Sequence, residues 1–348
     1  MLNDIVKPLT EWYRQNKRSL PWRDRHNAYY TWVSEIMLQQ TRVEAVKPYF
    51  RRFTEELPDP AALAECPEEK LLKLWEGLGY YNRVRNMQIA AQTVVEEYDS
   101  VLPASYEKLL SLKGIGSYTA GAIASIAYDI PVPAVDGNVL RVITRIIEDD
   151  GDIMKQSVKK RIENKLQEIM PGEYPGDFNQ ALMELGAVVC VPNGEPKCDV
   201  CPVAFCCGAR AHGTIDRFPV KAQKKDRKLE DRTVLVIQDG EKTAIRRRPS
   251  RGLLAGLYEL PNLKGHLSEE EVLESVKAMD LEPLRIEALP EAKHIFSHIE
   301  WRMTAYRVRV SSLEEIRQND LLFVGKRQSD DQYAIPSAFS AYTKYIRE

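Results

Sequence analysis

The sequence contains no long apolar run and no excess of charge of one sign. No uninterrupted apolar stretch reaches the roughly 18 residues that a membrane-spanning helix needs. Residues 1–20 lack the basic head, the apolar run and the small-residue cleavage site of a signal peptide. We therefore expect a soluble cytoplasmic protein. Because 49 Lys and Arg residues face 51 Asp and Glu residues, the net charge is only −2, so any surface that binds nucleic acid must be local.

Cysteine is nearly absent outside one segment. Five of the six cysteines lie in residues 190–207, CVPNGEPKCDVCPVAFCC, and the sixth, Cys66, is expected to be a structural thiol. In a reducing compartment such a group is more often a metal site than a set of disulfides. Four cysteines give the spacing C-x7-C-x2-C-x5-C, with Cys206 as an adjacent alternative for the last: Cys190, Cys198, Cys201 and Cys207.

Four thiolates suit either zinc or a [4Fe–4S] cluster. Zinc ribbons usually offer two separated C-x2-C pairs, whereas this segment has one pair flanked by single cysteines. The pattern therefore favours the iron–sulfur cluster. Because four protein ligands leave no open coordination position, a structural role is favoured over a catalytic one.

A glycine pair in LLSLKGIGSYTAGAIASIAYD indicates a second functional element. An apolar turn precedes Gly114 and Gly116, and a helix rich in Ala and Gly follows them. Glycine permits a close approach of the backbone, and the amides at the start of a helix bind phosphate readily. The pattern predicts a helix-hairpin-helix that binds a DNA backbone without recognising the base sequence. The alternative is an ordinary pair of helices separated by glycines.

Two carboxyl groups are distinguished by their surroundings. Glu35 falls in the apolar helical run WVSEIMLQQ, where a carboxyl is either exposed or desolvated with a raised pKa. Asp136 precedes Gly137 in VPAVDGNVLRVITRI, where an Asp is commonly the N-cap of the following helix. Beside a DNA-binding hairpin, two carboxyls in different environments are suited to breaking a glycosidic bond. One protonates the leaving base and the other stabilises the cationic sugar.

Four stretches together resemble the adenine-specific mismatch DNA glycosylases, the MutY family of the helix-hairpin-helix superfamily. They are SEIMLQQTRV, GLGYYNRVRN, LKGIGSYTAGAIAS with VDGNV, and the cysteine loop, in the family's order through about residues 5–210. The resemblance implies an all-α N-terminal part, 1–210. In it, a six-helix bundle of the helix-hairpin-helix type and an Fe–S domain flank a DNA groove, and the Fe–S domain combines the N-terminus with the segment after Asp136.

The resemblance also implies a role for each site residue. Glu35 is implied to be the general acid and Asp136 the electrostatic partner, with Tyr118 and Asn138 beside them. The implied activity is hydrolytic removal of a flipped adenine that was paired with 8-oxoguanine or guanine. The implied adenine pocket contains Trp22, Arg23, Leu38, Val43 and Gln180; the implied wedges into the base stack are Gln40, Leu78 and Tyr80; and the implied hairpin contacts come from Gly114, Gly116 and Ser117. We expect a monomer associated with the nucleoid, with double-stranded DNA as its partner and no contact with membranes.

The nearest alternative within the superfamily is the endonuclease III type. It removes damaged pyrimidines and nicks the strand through a lysine that directly follows the hairpin glycines, where this chain has Ser117 and Tyr118. The lysine nucleophile is therefore missing. Two features depart from the family pattern: the first cysteine spacing is one residue longer, which leaves Cys206 and Cys207 open as the last ligand, and Lys113 replaces a proline common before the first hairpin glycine.

Beyond residue 210 the composition changes. Residues 211–228 are polar and basic and are predicted to be a linker that can lie along DNA. Residues 229–348 have the α+β order of a second domain, as the length of the chain also leads us to expect. Its signals are a hairpin around Asp239-Gly240, a capping box at Ser268 and Glu271, a strand in HIEWRMTAYRVRV and a closing helix in SAFSAYTKYI. With RGLLAGLYELP, this part resembles the Nudix-like C-terminal domain of the same family.

In that domain the resemblance points to one loop, Phe296, Ser297 and His298, predicted between Leu289 and a strand that begins near Ile299. In the family this loop approaches the oxidised guanine opposite the adenine. The alternative is a connecting loop that makes no contact with DNA.

Two functions from other classes are the remaining alternatives. A Nudix hydrolase of nucleoside triphosphates needs an R-E-x-x-E-E arrangement, which LSEEEVLESVKAMDLEP lacks. Its acidic run is then a solvated helix face, and the domain is a recognition module. A non-enzymatic Fe–S protein that binds DNA would not need Glu35 and Asp136.

Overall fold

The computed structural model describes residues 2–23, 27–222, 226–311 and 320–346. The chain divides into two compact units, Met1–Cys66 with Arg85–Gln223 and Pro67–Val84 with Lys224–Glu348. The second unit thus joins the C-terminal part to a short segment from the N-terminal half. The boundaries predicted at residues 210 and 229 stay a prediction. They place residues 67–84 in the same domain as the rest of residues 1–210.

Before the C-terminal part, all described regular structure is helical, as predicted. The α-helices are α1 (Val6–Asn16), α2 (Ala28–Leu38), α3 (Val43–Glu56), α4 (Pro60–Glu65), α5 (Glu68–Leu74), α6 (Asn82–Glu97), α7 (Tyr106–Ser111), α8 (Ser117–Tyr128), α9 (Gly137–Ile147), α10 (Gln156–Gln167), α11 (Pro175–Val188) and α12 (Gly208–Ala211). Short 3₁₀ turns occur at Leu2–Ile5, Cys198–Val200, Ala204–Cys206 and Ile215–Arg217. Among the described helices, none combines the length and the apolarity needed to cross a bilayer.

One core of the first unit joins the beginning of the chain to the segment after Asp136. Leu9 and Tyr13 of α1 pack with the buried apolar faces of α9, α10 and α11, and four of the cysteines of 190–207 border the same core. These elements are far apart in sequence, so the core joins the N-terminus to residues that follow Asp136. This is the composite domain that the resemblance implies.

The predicted hairpin lies between α7 and α8. Gly114 has φ +79°, and a Cβ there would lie 2.7 Å from the Cβ of Asn86, so both the backbone conformation and the space require glycine. The amide of Ile115 donates to the carbonyl of Leu112 over 3.1 Å and closes the turn. Helix α8 begins directly after Gly116 and packs against α2, which brings the hairpin's second helix next to Glu35.

The second unit is built on a mixed sheet. Its strands are β1 (Lys228–Asp239), β2 (Lys242–Arg247), β3 (Tyr258–Glu259), β4 (Asn262–Lys264), β5 (Pro283–Ile295), β6 (Ile299–Val310) and β7 (Leu321–Val324). The order is β3-β2-β1-β6-β5, with β4 paired to β1 and β7 to β2. Strands β1 and β6 are parallel, and the other pairs are antiparallel.

Each face of this sheet is covered by its own core. Along β1, Val234 and Val236 point into one core and Leu235 and Ile237 into the other, as the alternation of a strand requires. The described α-helices after residue 228 are α13 (Glu269–Lys277), α14 (Lys326–Gln332) and α15 (Ser340–Thr343). The α+β C-terminal fold is therefore confirmed.

Most local signals of this part are confirmed, and two are wrong in extent. The turn after Asp239 joins β1 to β2, and Ser268 and Glu271 form the capping box of α13. The loop predicted from Leu289 onward is shorter, because β5 continues to Ile295 through a register shift between Leu289 and Ala292. The predicted closing helix is one α-turn flanked by 3₁₀ turns.

Part of the predicted linker is attached to the first unit. Phe218 is buried, and its carbonyl accepts a hydrogen bond from Nε of Arg145. The carbonyl of Val220 accepts from the amide of Ile153 over 3.1 Å. Residues 223–225 of the predicted linker lie outside the described residues.

Candidate active site

One cleft of the first unit collects the residues implied by the resemblance. Its volume is ≈ 790 Å³, within the range of roughly 300–1,000 Å³ that is typical of ligand pockets. The predicted site residues that line it are Trp22, Arg23, Glu35, Leu38, Gln40, Val43, Tyr118, Asp136, Asn138 and Gln180.

Glu35 is a buried carboxyl on α2, only 6% exposed. The same helix buries Trp32, Val33 and Ile36, so the apolar run carries the carboxyl into the protein. Burial raises the pKa of Glu35 to about 7, and the nearby charge of Asp136 pushes in the same direction. A hydrogen bond donated by the hydroxyl of Tyr118 lowers the pKa but does not cancel the effect of burial. Near neutral pH this carboxyl thus holds its proton part of the time.

Tyr118 stays a neutral hydrogen-bond donor. Burial and the charge of Glu35 raise its pKa well above the ordinary value. Its hydroxyl also lies 3.8 Å from Sδ of Met183. Tyr118 is the second residue of α8, so the start of the hairpin's second helix supplies the partner of Glu35.

Asp136 is the N-cap of α9, as predicted. One carboxylate oxygen accepts from the amide of Val139 over 2.7 Å, and the other accepts from Nδ2 of Asn138 over 2.8 Å. Burial raises the pKa of Asp136, while these hydrogen bonds and the charge of Arg141 oppose that rise. The capping geometry therefore fixes both oxygens of the carboxylate.

Arg141 connects this N-cap to the cysteine segment. Its Nη2 donates to Oδ1 of Asn138 over 2.9 Å, and its Nε donates to the carbonyl of Cys190 over 2.8 Å. Helix α11 approaches closely, because a Cβ at Gly186 would lie 2.6 Å from that of Asn138. The carbonyl of Gly186 accepts a further hydrogen bond from Arg141. The side chain beside Asp136 is thus held from two directions.

Glu184 is a site residue that our sequence analysis missed. It is buried on α11 and lines the cleft. Burial pushes its pKa up, but hydrogen bonds and charge from Arg18 and Arg23 outweigh burial and lower the pKa. Arg18 binds it through two nitrogens at 2.6 and 3.0 Å, and Arg23 through Nη2 at 2.8 Å. An acid inside the apolar run ALMELGA is the same signal that singled out Glu35.

The predicted hairpin contacts Gly114, Gly116 and Ser117 are not among the residues that line the cleft. Gly114 and Gly116 are exposed, as contacts to a phosphate backbone would require. The hydroxyl of Ser117 donates to Oε1 of Glu163 on α10 over 2.9 Å. Ser117 is thus bound to a carboxylate at the first position of α8, where a helix favours negative charge.

The other predicted DNA contacts belong to the second unit. Leu78 is buried, with 6% of its surface exposed, whereas Tyr80 is half exposed. The hydroxyl of Tyr80 lies 2.9 Å from that of Ser297. Two predicted site residues that are 217 positions apart therefore meet in a hydrogen bond.

The turn between β5 and β6 carries the predicted F-S-H residues. Ser297 and His298 are exposed. Phe296 is half-buried and packs edge-on against Trp301, with ring centroids 5.0 Å apart. Phe296 thus anchors the turn to the sheet, while its two neighbours are presented to solvent.

The cysteine segment encloses a separate cavity. The cavity is lined by three basic side chains, Arg145, Lys197 and Arg210, by apolar side chains and by the four predicted ligands, Cys190, Cys198, Cys201 and Cys207. Cys206 is not among its lining residues. The thiol of Cys206 points to the carbonyl of Val203 instead. The geometry thus separates the two adjacent cysteines that the spacing left open.

The described residues contain no group of three or more His, Cys, Asp or Glu side chains close enough to share one metal ion. A single zinc needs its four sulfurs about 2.3 Å from one point. In a [4Fe–4S] cluster each cysteine binds a different iron, so the sulfurs stand farther apart. Four cysteines around one cavity are a set of donors that fits an iron–sulfur cluster.

Two family models match the chain. The model described as "HhH-GPD superfamily base excision DNA repair protein" matches residues 33–171, and a NUDIX domain matches residues 233–345. The adenine DNA glycosylase of Mus musculus is 36% identical over 86% of this chain and 69% of its own length. That of Buchnera aphidicola subsp. Acyrthosiphon pisum is 31% identical over 87% of this chain and 86% of its own length.

Solved structures match the helical part. A thermostable thymine-DNA glycosylase aligns with a TM-score of 0.54 and 25% identity, covering 60% of this chain and 96% of that one. An endonuclease III in a non-covalent complex with DNA aligns with a TM-score of 0.52 and 23% identity, covering 61% and 98%. The latter likeness speaks for the fold alone.

Replacing Tyr118 by Phe should raise the pKa of Glu35 above about 7. The Tyr118 hydroxyl donates a hydrogen bond that stabilises the ionised carboxylate, so its removal favours the protonated form. Carbon NMR of glutamate-labelled protein, with the Glu35 signal assigned from a Glu35→Gln sample, measures the titration.

Tyr128→Phe is the matched control. Its hydroxyl lies at the other end of α8 and donates to the carbonyl of Leu102, so Glu35 should titrate as in the unaltered protein. A pKa of Glu35 that falls or stays constant in Tyr118→Phe would contradict the role given to this hydroxyl.

Proposed function

The chain belongs to the adenine DNA glycosylase family of base excision repair, and from this membership we propose that its cleft hydrolyses the bond between deoxyribose and an adenine paired with 8-oxoguanine or guanine. Members of the family are enzymes that cleave N-glycosidic bonds in DNA. An adenine inside a duplex is out of reach of any side chain, so it must leave the stack before it reacts.

The observation that carries the proposal is the burial of Glu35 in the cleft, where Tyr118 donates a hydrogen bond to its carboxyl. A carboxyl with a pKa of about 7 is protonated often enough near neutral pH to act as a general acid. We propose that it gives its proton to N7 of the flipped adenine. Protonation makes the base a better leaving group, and Tyr118 keeps the donor oriented through its hydrogen bond to the same carboxyl.

Asp136 is proposed to stabilise the sugar. As the bond to the base breaks, positive charge develops on the deoxyribose, and an ionised carboxylate nearby lowers the energy of that state. The hydrogen bonds from Val139 and Asn138 hold the carboxylate in place before the reaction. Water then completes the hydrolysis, and the base and an abasic strand are released.

The rest of the cleft is proposed to bind the flipped base and its surroundings. Trp22 and Arg23 lie in the same cleft as Glu35, and Glu184 fixes the guanidinium of Arg23. Leu38, Val43 and Gln180 add apolar surface and one amide. Gln40, Leu78 and Tyr80 are proposed to fill the space that the base leaves in the stack. The hairpin residues Gly114, Gly116 and Ser117 are proposed to contact the DNA backbone.

A monofunctional reaction is proposed because no lysine follows the hairpin glycines. Ser117 and Tyr118 occupy the first two positions of α8, and neither side chain forms a Schiff base with the sugar. The product is therefore an intact strand with an abasic site.

We infer that the cysteine cavity holds a [4Fe–4S] cluster, since glycosylases of this kind commonly carry an Fe–S cluster. Burial raises the pKa of the Cys201 thiol to about 11, so ionising it without a bound metal is unfavourable. The proposed ligands are Cys190, Cys198, Cys201 and Cys207. When bound, the cluster ties four points of the segment together and so stabilises its fold.

Recognition of the opposite base is proposed for the turn between β5 and β6. Ser297 and His298 are exposed there, and Ser297 already contacts Tyr80, a proposed wedge. We propose that Ser297 hydrogen-bonds the oxidised guanine while Phe296 packs nearby. Hydrolysis of nucleoside triphosphates is not proposed for this part, because α13 lacks the required arrangement and its Glu271 serves the capping box.

Glu35→Gln should abolish release of adenine while binding to the mispaired duplex survives, because the amide cannot supply the proton.

In the unaltered protein the single-turnover rate should fall by about tenfold per pH unit as the pH rises well above about 7, since the raised pKa of Glu35 means that the active, protonated form is lost there. Release of free base from an 8-oxoguanine:A duplex measures both.

Glu55→Gln, an exposed change on α3, is the matched control and should turn over normally. Near-normal turnover by Glu35→Gln, or a rate that keeps rising through pH 7 and above, would remove Glu35 from the role of general acid.

Cys207→Ser should lose the bound cluster, whereas the adjacent Cys206→Ser should keep it. Only Cys207 lines the cavity with the other three ligands. Iron content, sulfide content and visible absorbance of the purified proteins measure the outcome. Retention of iron by Cys207→Ser together with its loss from Cys206→Ser would reverse the assignment.

A Phe296→Ala, Ser297→Ala double variant should lose part of the preference for 8-oxoguanine:A over G:A. A hydrogen bond at one base edge is worth roughly 1–3 kcal/mol, so the ratio of the two rate constants should fall by about one to two powers of ten. Ser297→Ala alone separates the hydroxyl from the packing of Phe296 on Trp301.

The control pair is Leu284→Ala, near the start of β5, with Ser311→Ala, directly after β6. It should leave the preference as it is. An unchanged preference in both the double variant and Ser297→Ala would mean that the damaged base is read elsewhere.

A further inference from the structure

The turn of residues 75–81, which carries Leu78 and Tyr80, has an unusual backbone. Gly77 and Gly79 have φ +98° and +68°, and Tyr80 has φ +49°. A large side chain rarely adopts the left-handed region, so neighbouring groups must hold Tyr80 there. Nε1 of the buried Trp75 donates to the carbonyl of Gly79 over 3.0 Å, which closes the turn from within.

Lys73, in the last turn of α5, attaches the start of this turn to the C-terminal part. Its ammonium donates to the carbonyls of Ser329 and Tyr333, over 3.3 and 3.0 Å. Ser329 is among the last four residues of α14 and Tyr333 directly follows the helix, a region where a helix leaves its carbonyls without helical partners. A cation is favoured at that end of a helix. The contact thus depends on a donor at position 73.

Glu76 makes the complementary attachment. One carboxylate oxygen accepts from the amide of Ile335 over 2.7 Å, and the other lies 2.7 Å from Nζ of Lys73. The two side chains retain only 20% and 26% of their exposure. Lys73 and Glu76 are therefore more than a surface ion pair, since each also binds a backbone group of residues 329–335.

We propose that Lys73 and Glu76 are positioning residues that fix the turn 75–81 to the end of α14, so that the C-terminal part sets where Leu78 and Tyr80 meet the base stack. The proposal rests on the proposed function, in which this turn opens the duplex. It assigns to the C-terminal part a role in extruding the adenine, besides recognising the opposite base. The backbone of Tyr80 is then positioned by this attachment, and its hydroxyl is positioned by the hydrogen bond with Ser297.

The backbone partners make the pair directional. A donor is needed at 73 for two carbonyls, and an acceptor is needed at 76 for an amide. Exchanging the two residues, Lys73→Glu with Glu76→Lys, restores an ion pair but mismatches all three backbone groups. An ordinary ion pair tolerates such an exchange, whereas this attachment does not.

The test uses the full-length protein and a duplex with 2-aminopurine next to the mispair, whose fluorescence rises when a base stack is opened. The variants are Lys73→Met with Glu76→Gln, the exchange described above, and Lys73→Arg. Single-turnover base release at saturating protein and the affinity for the duplex are measured beside the fluorescence. The matched control is Lys7→Met with Glu11→Gln, which removes an exposed pair with the same charges from α1.

We expect the double variant to bind the duplex within about threefold of the unaltered protein. It should lose the fluorescence rise and release base about 10-fold to 100-fold more slowly, as misplacement of a positioned group does. The exchanged pair should behave in the same way, while Lys73→Arg and the control should keep both signals. If the double variant loses its helical circular dichroism, the exchanged pair and Lys73→Arg decide by the same criteria.

Two results would overturn the inference: fluorescence and release in the double variant equal to those of the control, or full restoration by the exchanged pair. Both results differ from a failure of the proposed function. If the proposed function is wrong, the unaltered protein itself releases no adenine from the duplex.

Discussion

The burial of one carboxyl group, that of Glu35, is the constraint on which the rest of the site depends. Moving a carboxyl pKa from 4.5 to about 7 corresponds to about 3 kcal/mol of disfavoured ionisation. The apolar residues of α2 impose this cost, because they carry the helix into the core with the carboxyl on it. Tyr118 offsets only part of it, which leaves a carboxyl that is a usable acid near neutral pH.

The second carboxyl is controlled by the opposite means. Asp136 has its two oxygens occupied by hydrogen bonds from the start of α9, so its ionised form is favoured more than burial alone would allow. One structural motif, the N-cap, therefore both begins a helix and presents a fixed carboxylate to the cleft. The two carboxyls differ because one is surrounded by side chains of a helix middle and the other by amides of a helix start.

Local signals made much of this predictable from the sequence. The N-cap at Asp136, the hairpin glycines, the capping box of α13 and the acid within an apolar run all depend on neighbours a few positions away. Long-range relations were not predictable from pattern. Local sequence does not predict the hydrogen bond between Tyr80 and Ser297 or the one between Arg18 and Glu184. Nor does it predict that Cys207, and not Cys206, lines the cavity. These depend on how distant segments pack, and the extent of β5 depends on a register shift that only the pairing with β6 reveals.

The compact units of the chain do not coincide with the stretches that the family models match. Residues 33–171 match one model, yet Pro67–Val84, inside that stretch, belongs to the same compact unit as the C-terminal part. Removing the C-terminal part would leave Lys73 and Glu76 without the backbone groups they bind, and polar groups that lose buried partners are costly. A truncated protein would therefore lack the turn between β5 and β6 and would also differ from the whole in the turn that carries Tyr80. A substitution at Lys73 removes contacts to the carbonyls of Ser329 and Tyr333 and leaves Ser297 in place, whereas a substitution at Ser297 also removes the hydrogen bond to Tyr80.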